Sequence, residues 1–179
     1  MRVGMNELNN VDTIEISALR LDEAEALVEL AGQIWRAHYP GIISAAQIEY
    51  MLAQRYRPVL VRQFIARGDI WLAARMAGKL VGFGHSHPLG DGDYKLDKLY
   101  VHSTLQRQGI GGRLIAEVCQ AAIARDASRL VLRVNRENHP AIHAYLKHGF
   151  KIATLIDEAI GDGFFMQDYV MAKELNNVT

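Results

Sequence analysis

The chain has 179 residues, 50% of them hydrophobic and 22% charged, a balance that suits one globular domain with a sizeable core. Lys and Arg total 20, and so do Asp and Glu; zero net charge argues against a dedicated nucleic-acid binder or a polybasic membrane anchor, both of which need surplus cations. The single cysteine, Cys119, excludes a disulfide-stapled scaffold.

No apolar run approaches the roughly 20 residues that cross a bilayer, and the polar opening Met1–Asn10 lacks the hydrophobic segment of a signal peptide. The expectation is a cytoplasmic, soluble protein with one domain over 12–175 and flexible termini at 1–11 and 176–179. Along the chain, Asp12–Leu19 reads as a short strand. From Leu21 to Tyr39, apolar Ala24, Leu27, Val28, Ala31, Ile34 and Trp35 follow the period of an amphipathic helix, which Pro40-Gly41 ends. Ser44 caps a second helix to about Gln54, and Pro58 opens a third that stops near Gly68. Ile70–Met76, Lys79–His87 and Asp93–His102 read as strands joined at Ala77-Gly78 and at 90–93. A helix follows from Gly109, then a buried strand at Leu130–Val134, a helix at Asn138–His148, and closing strands at Phe150–Ile156 and Phe164–Ala172. This order predicts a mixed α+β fold around one sheet.

The segment between Leu99 and Leu114 carries the most information. A strand runs into a turn with Gly109, Gly111 and Gly112, which opens directly into a helix. Glycines let backbone approach a ligand closely, and the unpaired N–H groups at a helix start attract an anion. The dinucleotide fingerprint fails because Leu114 stands at its third glycine, and the nucleotide P-loop fails because Gly78-Lys79 leads to Leu80. What remains is Gln/Arg-x-x-Gly-x-Gly/Ala, met by Gln106, Gly109 and Gly111.

On these residues the chain resembles the GNAT superfamily of acetyl-CoA-dependent N-acetyltransferases. A second motif of that family, Asn-x-x-Ala-x-x-x-Tyr followed by Gly-Phe, is met by Asn138, Ala141, Tyr145, Gly149 and Phe150. Ser103 stands where proline is frequent in the family, a difference that bears on loop stiffness. The resemblance implies a central, mostly antiparallel sheet with one parallel, splayed strand pair, flanked by helices. It implies that backbone amides of Gln106, Arg107, Gln108, Gly109, Ile110, Gly111 and Gly112 hold the coenzyme A pyrophosphate, and that the backbone of Leu99 and Val101 pairs with the pantetheine arm. Asn138 and Tyr145 would be further coenzyme contacts, and homodimers are frequent in the family. The stretch from Lys95 to Arg136 carries a net charge of +5, which suits a polyphosphate ligand; Arg107 is its favoured phosphate contact.

Acetyl transfer to an amine needs a neutral nitrogen, and at pH 7 an alkylamine holds its proton by about 4–5 kcal/mol. The leaving thiolate needs a proton, which the Tyr145 phenol can supply uphill by only about 2 kcal/mol from ordinary pKa values. Asp97, two residues before Leu99, is the first choice of base. His85 and His87 alternate on the preceding strand, with His87 the weaker second choice, and the resemblance places Tyr39 near the acceptor pocket. The first 60 residues carry −3, which favours a small cationic amine as acceptor. No metal is implied: His139 and His143 have zincin spacing, but Pro140 replaces the glutamate. Cys119 lies on an apolar helix stretch, as packing. The function expected is N-acetylation of a primary amine by direct transfer in a ternary complex. A coenzyme A-binding sensor and an acetyltransferase of protein N-termini or lysines are the alternatives.

Overall fold

The computed structural model describes residues 13–175. In chain order it contains β1 (Ile14–Ala18), α1 (Ala24–His38), α2 (Ala45–Arg55), α3 (Pro58–Ala66), β2 (Ile70–Met76), β3 (Lys79–Gly90), β4 (Asp93–Val101), α4 (Ile110–Ile123), β5 (Arg129–Asn135), α5 (His139–Lys147), β6 (Lys151–Gly161) and β7 (Phe164–Glu174). Single turns of 3-10 helix at Leu21–Glu23 and Ser103–Leu105 precede α1 and the loop before α4. Local chemistry sets the boundaries: Ser44 Oγ accepts from Gln47 N at 3.1 Å to cap α2, and Pro58 occupies the first turn of α3. Ala77-Gly78, Asp91-Gly92 and Asp162-Gly163 have positive φ at both residues, so each turn matches the twist of the strands it joins.

The strands form one sheet in the order β1-β2-β3-β4-β5-β7-β6. Every neighbouring pair is antiparallel except β4 and β5. This is the mixed α+β architecture with a single parallel pair that the sequence leads one to expect. Two strands run further than their patterns suggest: β3 reaches Gly90 and β6 reaches Gly161. β6 is an edge strand exposed along nearly its whole length, so its outer half shows no in–out alternation and is held by its ladder with β7.

Helices cover both faces. Leu27, Ile34 and Trp35 of α1 pack with Met51, Val61, Trp71 and Phe83 on one side. On the other, Ile115 and Val118 of α4 pack against Leu130, Leu132 and Met171. Successive strand residues point to opposite faces, so Ala73 belongs to the first cluster and Ala74 to the α4 side.

The parallel pair is short. β4 meets β5 only from Asp93 opposite Arg129 to Leu96 opposite Leu132. At the next residue the β3–β4 register shifts: His85 pairs with Lys98 and Ser86 with Leu96, leaving Asp97 as an extra residue. Such a bulge bends its strand and increases the local twist. Meanwhile β7 pairs with β5 along its full length, Arg129 to Asn135. β4 therefore turns away while β5 stays in the sheet, and a V opens at Asp97.

Gly82 keeps β4 seated on β3 beside that opening. A Cβ there would stand 2.9 Å from the Tyr100 carbonyl oxygen and 3.4 Å from Val101 Cγ2. The carbonyl is backbone and has nowhere to move, so Gly82→Ala is expected to cost about 1–3 kcal/mol in denaturant unfolding. An unchanged unfolding midpoint would mean that β4 yields freely at this position.

Candidate active site

The V is the floor of a cleft of about 1210 Å³ that runs from the start of α4, past β4, to β7. At one end lies the glycine loop. Gly109 adopts φ 81° as N-cap of α4 and receives no side-chain cap from the described residues, so the first amides of the helix point out unpaired by them. Among the described residues, nothing stands within 4 Å of the position a Gly109 Cβ would occupy, and Gly111 likewise keeps its flank open, with Val101 Cγ2 at 3.9 Å. At Gly112 a Cβ would lie 2.7 Å from His148 Cε1, so glycine there lets the imidazole close over the helix start. These open, uncapped amides fit the pyrophosphate of a coenzyme A.

The other expected loop residues divide. Gln106 spends its side-chain amide inside the loop, Nε2 donating to the Val101 carbonyl at 3.1 Å. Arg107 lines the cleft with φ 62°, in the left-handed region. Gln108 is exposed and does not line the cleft, while Ile110 is buried with Ala74, Val81 and Leu114, so neither side chain forms part of the cleft wall. Leu99 and Val101 line the cleft on the β4 edge that β5 has left. Asn138 is 4% exposed; its Oδ1 accepts from Ala141 N at 3.4 Å and lies 3.2 Å from His38 Nε2. It thus caps α5 and ties it to the end of α1.

Tyr145 lines the middle of the cleft, its ring edge-on to Phe150 at 5.6 Å. Burial, with Tyr39 nearby, pushes its phenol well above the ordinary value, so it keeps its proton throughout the physiological range.

Asp97 has a setting of its own. Because of the bulge, it and Lys98 reach each other directly. Arg55 Nη2 lies 3.0 Å from Oδ1, Lys95 Nζ 2.9 Å from Oδ1, and His85 Nδ1 3.6 Å from Oδ2. Burial raises the carboxyl, but the neighbouring His85 ring and the cations Arg55, Lys98 and Lys95 outweigh it and hold Asp97 far below the usual carboxylate range. The expectation that Asp97 takes the amine's proton does not fit this setting, because a carboxylate shared by three cations has little proton affinity left. His85 is no better placed: it is 1% exposed, stacked on Trp71 at 4.2 Å and bound through Nε2 to Asp69 at 2.8 Å. Burial lowers its pKa below the ordinary value.

The positive count from Lys95 to Arg136 is also rearranged in space. Arg129 pairs with Asp93, Arg133 with Glu158 and Asp168, and Arg136 with Asp157. All four carboxylates lie outside that stretch, so the local surplus is spent largely on structure.

Past the bulge, the far end of the cleft is lined by Tyr39, Tyr50, Arg55, Ile160, Met166 and Asp168. Tyr39 shares a hydroxyl hydrogen bond with Tyr100 at 3.1 Å. Tyr50 Oη donates to the Ile160 carbonyl at 2.8 Å, and Gln47 Nε2 to the Phe165 carbonyl at 2.9 Å. Sequence reasoning missed Arg55 and Asp168. The available signal for Asp168 was an acidic residue on the same strand face as Phe164 and Met166.

A model of the Acetyltransferase (GNAT) family matches residues 27–150. The spermidine N(1)-acetyltransferase of Thermoplasma acidophilum is 26% identical over 160 residues, which make up 87% of this chain and 96% of that one. Among solved structures, the PaiA N-acetyltransferase from Thermoplasma acidophilum in complex with coenzyme A superposes with a TM-score of 0.79 at 26% identity, over 90% of this chain and 99% of that chain. A GCN5-related N-acetyltransferase from Rhodopseudomonas palustris shares the fold, with a TM-score of 0.76 at 21% identity over 92% and 98% of the two chains. The splayed β4–β5 pair, the uncapped glycine loop and Tyr145 all fall inside the matched residues, and the chain belongs to the GNAT acetyltransferase family, as an acetyl-CoA-dependent acyltransferase.

Proposed function

We propose that this enzyme transfers acetyl from acetyl-CoA to the primary amine of a small cationic molecule, directly and within a ternary complex. The observation that carries the reading is the continuity of the cleft: the glycine loop and the β7 end open into one space, and they meet where β4 parts from β5. Two substrates entering from the two ends would meet beside Tyr145. Cys119 is buried in the α4 core and does not line the cleft, so direct transfer needs no cysteine intermediate.

Acetyl-CoA would supply the activated acetyl group as a thioester. The chain's part is to hold and to move protons. Amides at Gly109–Gly112 bind the pyrophosphate, and the unpaired β4 edge at Leu99–Val101 aligns the pantetheine arm. Tyr145 holds a proton for the leaving sulfur. Asp97 keeps Arg55, Lys95 and Lys98 gathered at the bulge.

Two observations favour a small acceptor. The relative from Thermoplasma acidophilum is named for spermidine. The bonds from Tyr50 and Gln47 strap α2 to the β6–β7 hairpin across the acceptor end, which leaves less room for a polypeptide. The test is thiol release from acetyl-CoA with spermidine, an aminoglycoside, an N-terminal peptide and a lysine peptide. Amine-dependent release with the small amines is expected. Faster turnover of either peptide would move the activity to proteins. Coenzyme binding without release for any amine would leave only a sensor.

A further inference from the structure

With Asp97 committed to three cations, the amine's proton needs another destination, and β7 offers one. Asp168 is 2% exposed and lines the cleft. It pairs in register with Asn135, the last residue of β5, so it stands beside the wide end of the V. Arg133 Nε holds Oδ2 at 3.1 Å. Oδ1 is equally buried and has no hydrogen-bond partner among the described residues. A buried carboxylate oxygen without a donor is unfavourable, and a cationic N–H entering the cleft would relieve it.

We propose that Asp168 receives the acceptor's ammonium and takes its proton; this rests on the amine-acetylation reading above. The charged and titratable groups around it are Arg133 on β5, which Glu158 of β6 shares, Arg55 on α2 and Tyr39 at the end of α1. Burial raises the Asp168 carboxyl; Arg133 and Arg55 oppose this, and the balance stays above the ordinary value, the reverse of Asp97. The protons balance as follows. An N–H bond of the ammonium breaks, its electrons stay on nitrogen, and an O–H bond forms at Oδ1. That lone pair makes the C–N bond to the acetyl carbon as the C–S bond breaks. Tyr145 gives its phenol proton to the leaving sulfur and recovers one from the acetylated nitrogen, while Asp168 passes its own to water.

Asp168→Asn keeps the shape and an oxygen for Arg133. With spermidine as acceptor, or the amine the wild type turns over fastest, kcat/KM at pH 7 is expected to fall about 100-fold. The coenzyme A Kd by calorimetry should be unchanged. The lost rate should return about tenfold per pH unit as the amine's own pKa of about 10 is approached, and Asp168→Glu should keep the wild-type form of the pH profile. Wild-type kcat/KM in D168N overturns the proposal, as does a loss equal at every pH with the coenzyme Kd intact. If D168N fails to bind coenzyme, the wild type decides: a fall in kcat/KM on acidification must begin above the ordinary Asp range near 4, and its absence overturns the proposal. Should the wild type release no thiol with any amine, it is the amine-acetylation reading that fails.

Discussion

Tyr145→Phe is expected to lower kcat about 100-fold while leaving the coenzyme A Kd nearly unchanged, because a positioned acid contributes about that much and more to proton transfer. The ring packs edge-on against Phe150, and phenylalanine preserves that contact, so the variant removes an oxygen and little else. From ordinary pKa values the phenol-to-thiolate transfer is uphill by about 2 kcal/mol. Burial and the nearby Tyr39 lift the phenol further, yet a thiolate formed in the same desolvated cleft also holds a proton more strongly than in water. The donor therefore stays loaded, and no acidic limb of the wild-type pH profile belongs to it. Steady-state kcat beside calorimetric coenzyme binding checks this; equal kcat in the two proteins would remove Tyr145 as the proton donor.

Asp97→Asn is expected to cost about 3 kcal/mol of folding stability at pH 7, the lower end for removing one partner of a buried charge cluster. Its carboxylate faces Arg55, Lys95 and Lys98. The Lys98 side chain is 3% exposed, its ammonium over the rings of Tyr56 at 5.6 Å and Trp71 at 5.8 Å. Burial has already pulled Lys98 down to about 8, with Asp97 opposing that fall. Without the carboxylate, the buried Lys98 ammonium is left facing the partly exposed Arg55 and Lys95 across the bulge. The Asp97 carboxyl is depressed by folding, so its stabilisation is present above the unfolded value near 4 and fades as pH falls below it. The gap between wild type and variant should therefore close in acid. Lys98 is a base whose pKa folding lowers, further still once Asp97 is gone, so its penalty lessens as pH rises toward its unfolded value near 10, and the variant should gain stability between pH 7 and 10. Denaturant unfolding across that range is the measurement; wild-type stability at pH 7 would show that the cluster does not hold the bulge.

The second result depends on one extra residue in β4. A bulge puts adjacent side chains on the same face, which is why Asp97 and Lys98 meet although strand neighbours ordinarily point apart. Nothing in the stretch from Asp93 to Val101 announces this, since bulges follow from register with β3 and from the departure of β5. A base assignment made from chain position alone therefore falls on Asp97, whose partner Arg55 appears only when α2 folds over the sheet. Asp168 illustrates the converse. A single acidic residue in a closing strand reads as a solvated position, and its burial follows from β7 lying between β5 and β6.

Sequence by itself determined what is local. The 3.6-residue pattern of Leu27, Ile34 and Trp35, the caps at Ser44 and Pro58, the hairpin glycines and the uncapped glycine loop each depend on interactions within a few residues, so they could be read in order and with near-correct boundaries. The proposed coenzyme side was legible for the same reason: Gly109 to Gly112 and Asn138 to Tyr145 are contiguous motifs on helix starts. The proposed acceptor end is assembled from α1, α2, β4 and β7, elements that together span more than 100 residues of the chain. Which carboxylate is neutralised there and which is left with a bare oxygen depends on distances of a few ångströms between those elements. Coulomb and desolvation energies vary steeply over that range, so only the tertiary structure could decide it.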